Sequence, residues 1–150
     1  MMMEGLFVIL LAFSLVFILI AIGLHLLGSY GLYRLALNQG IDNPWLAWIP
    51  VTNMYILGMI IGKMSVFKFK IESPEWVLPM IYLGAMFFSG DKFFAPIAGL
   101  VLIIVNAFAI NALFKKYKPE SATIYTILSL IIVFIAPILI FTIRDNEPVQ

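Results

Sequence analysis

Few polar side chains in this chain could do chemistry, and most of them lie inside long apolar runs. His25 is the single histidine, and the sequence has no cysteine. One imidazole without a cluster of carboxylates is not a metal site, and we interpret His25 as a packing residue that bonds a carbonyl rather than as a proton relay. Glu72, Glu75 and Asp91 lie at segment edges, where nothing pairs them as general acid and base. We therefore expect no catalytic residue, no metal site, no cofactor and no enzymatic activity.

Three asparagines are the remaining polar candidates within apolar segments. Asn106 and Asn111 lie five residues apart in one apolar run, which places them about 140° apart around a helix, so they do not share a narrow face. The simpler interpretation is that each bonds a neighbouring helix. The alternative is a polar path lined by Asn53, Asn106 and Asn111.

The composition indicates that the elements carrying these residues lie in a bilayer. The chain is 63% hydrophobic and 11% charged over 150 residues, whereas soluble domains are roughly 45–50% apolar and 25% charged. This length allows about four membrane helices of roughly 20 residues and no separate soluble domain. A net charge of +1 gives no general attraction to nucleic acid, so we expect the bilayer itself to be the main partner.

Four apolar segments are expected to span the bilayer in a single all-α domain covering residues 1–150. The first lacks a basic leading region and is longer than the apolar part of a secretory signal, so we expect it to be retained. The short second segment must lie where the bilayer is thin, extend through its turn or be partly interfacial. Pro137 should kink the last segment. The segments are approximately Gly5 to Leu27, Glu75 to Ser89, Phe93 to Phe114 and Ser121 to Ile143.

The segment of about residues 44–62 is apolar enough to cross, but the positions of lysine and arginine argue that it does not. If it crosses, there are five spans, and the nine basic residues divide three to six between the two sides. If it is an interfacial or re-entrant helix, Arg34 joins the six lysines of residues 63–70 and 115–118, and only Lys92 and Arg144 lie opposite. The positive-inside rule favours this second arrangement, with four spans and both termini outside.

Turn chemistry supports a corner before residue 44. Gly40 suits the position after a helix end, and Asp42 or Asn43 is expected to cap a new helix whose first position is Pro44. Trp45 and Trp48 then lie one turn apart and are expected to anchor the segment at the membrane interface. The first helix, extended to about residue 39, is too long for a straight span, so we expect a bend at its small residues, which are Gly28, Ser29 and Gly31.

Small residues at helix-packing spacing occur twice. Gly58 and Gly62 form one small-xxx-small pattern, and Ala95 and Gly99 begin and end another. Such pairs let helix backbones approach closely, within one chain or between chains. Residues 67–72 instead alternate apolar and charged side chains, which indicates an extended interfacial connector without a partner strand.

The run from Tyr30 through Asn43-Pro-Trp-Leu-Ala-Trp-Ile-Pro50 to Asn53-x-Tyr-x-Leu-Gly58 resembles a group of small, uncharacterised multi-pass membrane proteins of Gram-positive bacteria. In that group a similar segment follows a first apolar helix. The resemblance implies a protein of the bacterial inner, or cytoplasmic, membrane. It implies no activity, cofactor or site residue.

The sequence thus predicts a non-enzymatic subunit that packs against itself, as a homo-oligomer, or against a larger membrane protein. Small-residue packing patterns and the near absence of ionisable groups within the spans favour this class. The competing class is a small oligomeric channel or transporter with a re-entrant segment. A membrane-surface immunity or stress-response role has no direct signal in the residues.

Overall fold

The computed structural model describes residues 2–132 and 134–149 and is 77% helical. Its six α-helices are joined by short 3-10 turns and one two-stranded hairpin. Two helices, α1 and α4, are long and apolar enough to cross a membrane, whereas four spanning helices are not confirmed. The elements are α1 (Met2–Asn38), α2 (Thr52–Ile61), β1 (Met64–Val66), β2 (Phe69–Ile71), α3 (Pro74–Phe87), α4 (Phe94–Tyr117), α5 (Ala122–Ile131) and α6 (Ile135–Thr142).

Helix α1 is unbroken and divides into a bare half and a packed half. Its side chains are exposed from residue 5 to residue 23, whereas Leu32, Leu35 and Ala36 are buried. A bend was expected at the small residues of α1, but the helix is uninterrupted there. Gly28 and Gly31 serve a different purpose, because a Cβ at either position would lie within about 3.1 Å of Pro137 or Ile140 on α6. These glycines therefore allow close helix packing.

The segment of residues 44–62 returns to the end of the bundle at which it begins. A 3-10 helix, Pro44–Trp48, runs back along α1 until Trp48 lies against Tyr30 and Tyr33, with ring centroids 6.4 and 6.1 Å away. Helix α2 then runs the other way, and its Ile60 carbonyl accepts a hydrogen bond from Gln39 Nε2 at 3.2 Å. The segment therefore begins and ends at the same end of the bundle.

The expected corner forms from the residues that predicted it. Gly40 has a φ of 68° and Asn43 a φ of 56°, both in the left-handed region that glycine and asparagine tolerate best. Pro44 opens the 3-10 helix, where its missing N–H costs nothing. Asn43 makes no side-chain capping bond there, so its contribution is its backbone conformation.

Residues 64–71 form a hairpin rather than a lone extended connector. Strand β1 pairs antiparallel with β2, with Ser65 opposite Lys70. The expectation that residues 67–72 lack a partner was wrong, because the partner strand lies immediately before them. Lys63 and Glu72 continue the ladder as an ion pair at 2.5 Å.

Helices α3 and α4 form an antiparallel pair joined by a turn that carries Asp91 and Lys92. The Asp91 carboxylate accepts the backbone N–H groups of Phe93 and Phe94 at 2.8 and 2.9 Å. These two bonds hold the pKa of Asp91 below its usual value. The residue thereby satisfies N–H groups that have no partner inside the helix.

The last apolar segment is a helical hairpin and not the expected single span of residues 121–143. Helix α5 runs antiparallel to α4, with Asn111 Nδ2 donating to Thr126 Oγ1 at 2.9 Å. Helix α6 runs back along α1, with Pro137 beside Gly28 and Ile140 beside Gly31. Helix α5 ends at Ile131, and Pro137 lies in the first turn of α6, where its missing N–H removes no hydrogen bond within the helix.

Both hairpin-like returns bring charged residues to one end of the molecule, which we call the charged end. It comprises Arg34, residues 39–43, the β-hairpin, Lys115–Lys118 and residues 144–149. Arg34 Nη2 pairs with Asp145 at 2.8 Å, and the backbone N–H of Val149 donates to the Lys116 carbonyl at 2.7 Å. The expected separation of Arg144 from Arg34 and the lysines was therefore wrong, because α6 returns to this end.

The core lies just beneath the charged end. Most of its large, fully buried side chains come from α1, α2 and α4, and they include Leu35, Ile56, Ile60 and Phe114, together with Ile143 after α6. Away from this end, large apolar side chains on α1, α3, α4 and α5 are exposed. Continuous exposed apolar surface of this kind is typical of proteins that face lipid.

Candidate functional site

The candidate site is a polar chamber where the two returning segments meet. It is a cavity of about 220 Å³ between α1, α2, α4 and α6. Four polar side chains line it among apolar neighbours: His25, Ser29, Asn53 and Asn106. The spacing of these residues in the sequence does not predict that they lie together. They belong to three helices, and the packing of those helices depends on the return of residues 44–62.

His25 ties the first returning segment to α1. Its Nε2 lies 3.0 Å from the carbonyl of Trp48, and because a carbonyl only accepts, Nε2 carries the hydrogen. Ser29 Oγ lies 3.4 Å from the same nitrogen. The geometry agrees with the interpretation of His25 as a packing residue that bonds a carbonyl.

Asn53 gives the chamber an unsatisfied acceptor. Its Oδ1 is buried and has no hydrogen-bond partner among the residues that the structure describes. A buried polar atom left in this state costs about 1–3 kcal/mol relative to a satisfied one. Asn106 lines the same chamber from α4. The side-chain amides of Asn53 and Asn106 can therefore form hydrogen bonds with a small polar molecule in the chamber.

Asn111 does not join Asn53 and Asn106. It points to α5, where it bonds Thr126, whose hydroxyl in turn donates to the Ala122 carbonyl at 2.7 Å. The five-residue spacing in α4 sends the two asparagines to different faces, as expected. The structure thus brings two members of the suggested polar path together and gives the third a helix-packing role.

The four small residues expected at helix contacts have different surroundings. A Cβ at Gly58 would lie 2.6 Å from the carbonyl carbon of Pro74 and closer still to backbone atoms of Glu75, so Gly58 sets the approach of α2 to α3. Gly62 ends α2 with a φ of 78°, and no described atom lies near its Cβ position. Ala95 and Gly99 line an open groove on the outer side of the α3–α4 pair.

The two tryptophans are exposed to different degrees. Trp45 is 54% exposed, and Trp48 is 37% exposed and stacks beside Tyr30 and Tyr33. The Trp48 carbonyl also bonds His25. Trp48 therefore lies beside residues 25–33 of α1, away from the corner that follows the end of this helix. That both tryptophans anchor the segment at a membrane interface stays a prediction.

The chamber contains no obvious metal-binding set, since no three acidic or histidine side chains cluster within residues 2–132 and 134–149. Comparisons of the chain with family models, with curated proteins and with solved structures find no match.

Proposed function

We propose that this chain is a non-enzymatic multi-pass membrane protein that acts as an interaction subunit, pairing with a second copy through the bare half of α1. In this arrangement α1, α3 and α4 cross the bilayer, and residues 44–62 and 121–143 are two re-entrant segments. The N terminus is external and the C terminus cytoplasmic, which replaces the expectation of two external termini.

The distribution of charge supports this orientation. Eight of the nine lysine and arginine residues lie at the charged end, and Lys92 is alone in the turn at the other end. The positive-inside rule assigns the basic end to the cytoplasm. The bias is stronger than the seven-to-two division expected from the sequence, because Arg144 returns to the basic end.

The length of α1 is the observation that carries the proposed pairing. Helices α1 and α4 end together, since Gln39 bonds Tyr117, but α1 has 37 residues and α4 has 24. At 1.5 Å per residue, α4 measures about 36 Å and already matches a bilayer core of about 30 Å, whereas α1 extends about 20 Å further. The extension is apolar and uncovered, with Phe7, Leu10 and Phe13 each more than half exposed.

A second copy of the chain can cover this apolar extension without a different partner protein. Every copy has the same overhang, so a two-fold pair in which the two extensions pack together covers both at once. Association of membrane helices relies on close side-chain packing, because lipid is as apolar as the helix surface. The extension of α1 differs from helix surfaces that lie in lipid, because it projects beyond the α3–α4 turn. Asp91 and Lys92 in that turn indicate where the molecule meets water.

The test is a disulfide scan in this cysteine-free chain. Single cysteines are placed at residues 6–13, and membranes are oxidised. Pairing predicts disulfide-linked dimers of the 16.9 kDa chain at positions that recur every three to four residues. Leu100→Cys is the matched control, because Leu100 is a 60% exposed apolar residue on α4. Crosslinks only to a protein of another mass would contradict self-pairing, and a complete absence of crosslinks would contradict the interaction role.

The polar chamber favours a second function, that of a small channel or transporter. Binding sites of transporters commonly lie near the bilayer midplane and are formed by interrupted helices. Here both returning segments reach a chamber that is lined by Asn53 and Asn106. The test is flux of small neutral polar solutes into liposomes. We expect Asn53→Leu and Asn106→Leu to abolish flux and Asn111→Leu to preserve it. Equal flux in all three variants would exclude a role for the chamber.

A further inference from the structure

A second and larger cavity, of about 760 Å³, opens at the charged end beside the β-hairpin. The hairpin, the last turns of α4 and the C-terminal segment form its walls. It shares no lining residue with the polar chamber. Five charged side chains line it, and four of them are basic: Lys63, Lys70, Lys115, Lys116 and the acidic Glu72.

Two of the four lysines are already engaged. Lys63 pairs with Glu72, and this hydrogen bond and charge raise the pKa of the Lys63 ammonium above its usual value. Lys116 Nζ donates to the Ile60 carbonyl at 2.5 Å and so ties α4 to the end of α2. Lys70 and Lys115 are exposed and contact no hydrogen-bonding or ionic partner within the described part of the chain. These two ammonium groups give the cavity its uncompensated positive charge.

Besides its two lysines and Asn111, α4 also contributes apolar side chains to the cavity. These are the side chains of Phe108 and Ala112. The ring of Phe67, at the hairpin turn, lies 5.1 Å from that of Phe108. Phe67 and Phe69 are 73% and 77% exposed. The hairpin therefore carries lysines and exposed aromatic rings together, a combination that suits the boundary between headgroups and acyl chains.

We propose that this cavity binds the phosphate of an anionic membrane phospholipid. Lys70 and Lys115 neutralise the headgroup, and the hydroxyl of Ser65, which lines the cavity opposite Lys70 in the hairpin, donates to a phosphate oxygen. The acyl chains lie along Phe67 and Phe108. Basic pockets on the cytoplasmic side of membrane proteins bind anionic headgroups in this way. A zwitterionic lipid binds more weakly, because its own cation opposes the lysines.

This inference requires the apolar surface to lie in lipid, as the proposed function does, but it does not require two copies to pair. The disulfide scan and the lipid experiment therefore fail independently. A monomeric protein that retains anionic lipid would overturn the pairing alone.

The experiment is native mass spectrometry of the delipidated full chain, titrated with phosphatidylglycerol and with phosphatidylcholine of the same acyl chains. We expect tighter binding of phosphatidylglycerol. Each basic residue near a membrane surface contributes about a fivefold change in affinity, so the double variant Lys70→Gln/Lys115→Gln should bind phosphatidylglycerol roughly 25-fold more weakly. Inorganic phosphate, titrated separately, should bind far more weakly than the lipid, because it lacks acyl chains.

Two matched controls separate the cavity from general surface charge. Lys68→Gln removes a hairpin lysine that does not line the cavity, and Lys92→Gln removes the lysine of the opposite end; both should bind phosphatidylglycerol as the parent chain does. The double variant Lys70→Arg/Lys115→Arg keeps both positive charges, so it should bind phosphatidylglycerol as the parent chain does. A Lys68→Gln loss equal to that of Lys70→Gln would overturn the proposed site. Equal binding of the two lipids, or phosphate binding as tight as that of phosphatidylglycerol, would overturn its assignment to an anionic lipid.

Discussion

Replacing Gly58 with alanine should destabilise the protein more than any other glycine-to-alanine change in a helix of this bundle. Gly58 lies on α2 where α3 begins, and its added Cβ would lie 2.6 Å from the Pro74 carbonyl carbon. The neighbouring atoms belong to the backbone, so no flexible side chain can move aside. The two helices must separate, or one of them must distort.

The magnitude follows from two opposing effects. Forcing an extra methyl group into a close-packed contact typically costs about 1–3 kcal/mol. Alanine favours a helix over glycine by roughly 0.8–1 kcal/mol, which offsets part of that cost. We therefore expect a net loss of up to about 2 kcal/mol in the free energy of unfolding.

Gly99 provides the matched control, because it also lies within a helix but has no described atom within 4 Å of its Cβ position. Thermal and SDS-induced unfolding in detergent would compare Gly58→Ala and Gly99→Ala with the parent chain. Gly99→Ala should be neutral or stabilising. The packing argument would be refuted if Gly58→Ala unfolded at the same temperature as Gly99→Ala, or above it.

Three further predictions concern polar contacts. Asn53→Leu should raise the free energy of unfolding by about 1–3 kcal/mol, because it removes the unsatisfied buried acceptor; unchanged or lower stability would contradict this account. His25→Phe should expose the segment around Trp48 to faster hydrogen exchange, whereas an unchanged exchange rate would mean that the bond to the Trp48 carbonyl does not hold the segment. The bond from Arg34 lowers the pKa of Asp145 below 3.8, so the contribution of this pair should be present above pH 3.8 and disappear as the pH falls through the depressed value. The difference in unfolding temperature between the parent chain and Asp145→Asn, followed from pH 6 to pH 2, measures it, and a difference that persisted at pH 2 would contradict the assignment.

Local chemistry predicted the corner before residue 44 well. Gly40 and Pro44 each have a backbone preference that acts within a few residues, so their sequence positions alone define the turn. The charge count favoured a following segment that does not cross the membrane, since a crossing would have divided the basic residues more evenly. Gln39, which precedes that segment, donates a hydrogen bond to the carbonyl of Ile60 near its end.

The return of residues 121–143 could not be predicted in the same way. A continuous apolar run reads equally well as one span or as two half-length helices, and Pro137 was expected only to kink it. The deciding contacts are distant in sequence: Gly28 and Gly31 accept α6, and Asp145 pairs with Arg34. The two glycines were the available signal, but a bend in a long helix explained them equally well.

The candidate site shows a similar division. Asn53 and Asn106 were singled out as polar residues in apolar surroundings, and the structure places both at one chamber. Their proximity to His25 and Ser29 depends on where the returning segment of residues 44–62 packs against α1. The basic cavity was missed, because residues 67–72 were interpreted without the strand that pairs with them.

The most direct test of the proposed topology is the sidedness of three single cysteines, introduced at Lys63, Lys92 and Glu147 and labelled with a membrane-impermeant maleimide. All three positions are exposed, and the parent chain has no cysteine. Two re-entrant segments predict that residues 63 and 147 label from the cytoplasmic side and residue 92 from the other side. Labelling of residue 147 together with residue 92 would mean that the last apolar segment crosses the membrane, and it would contradict the account.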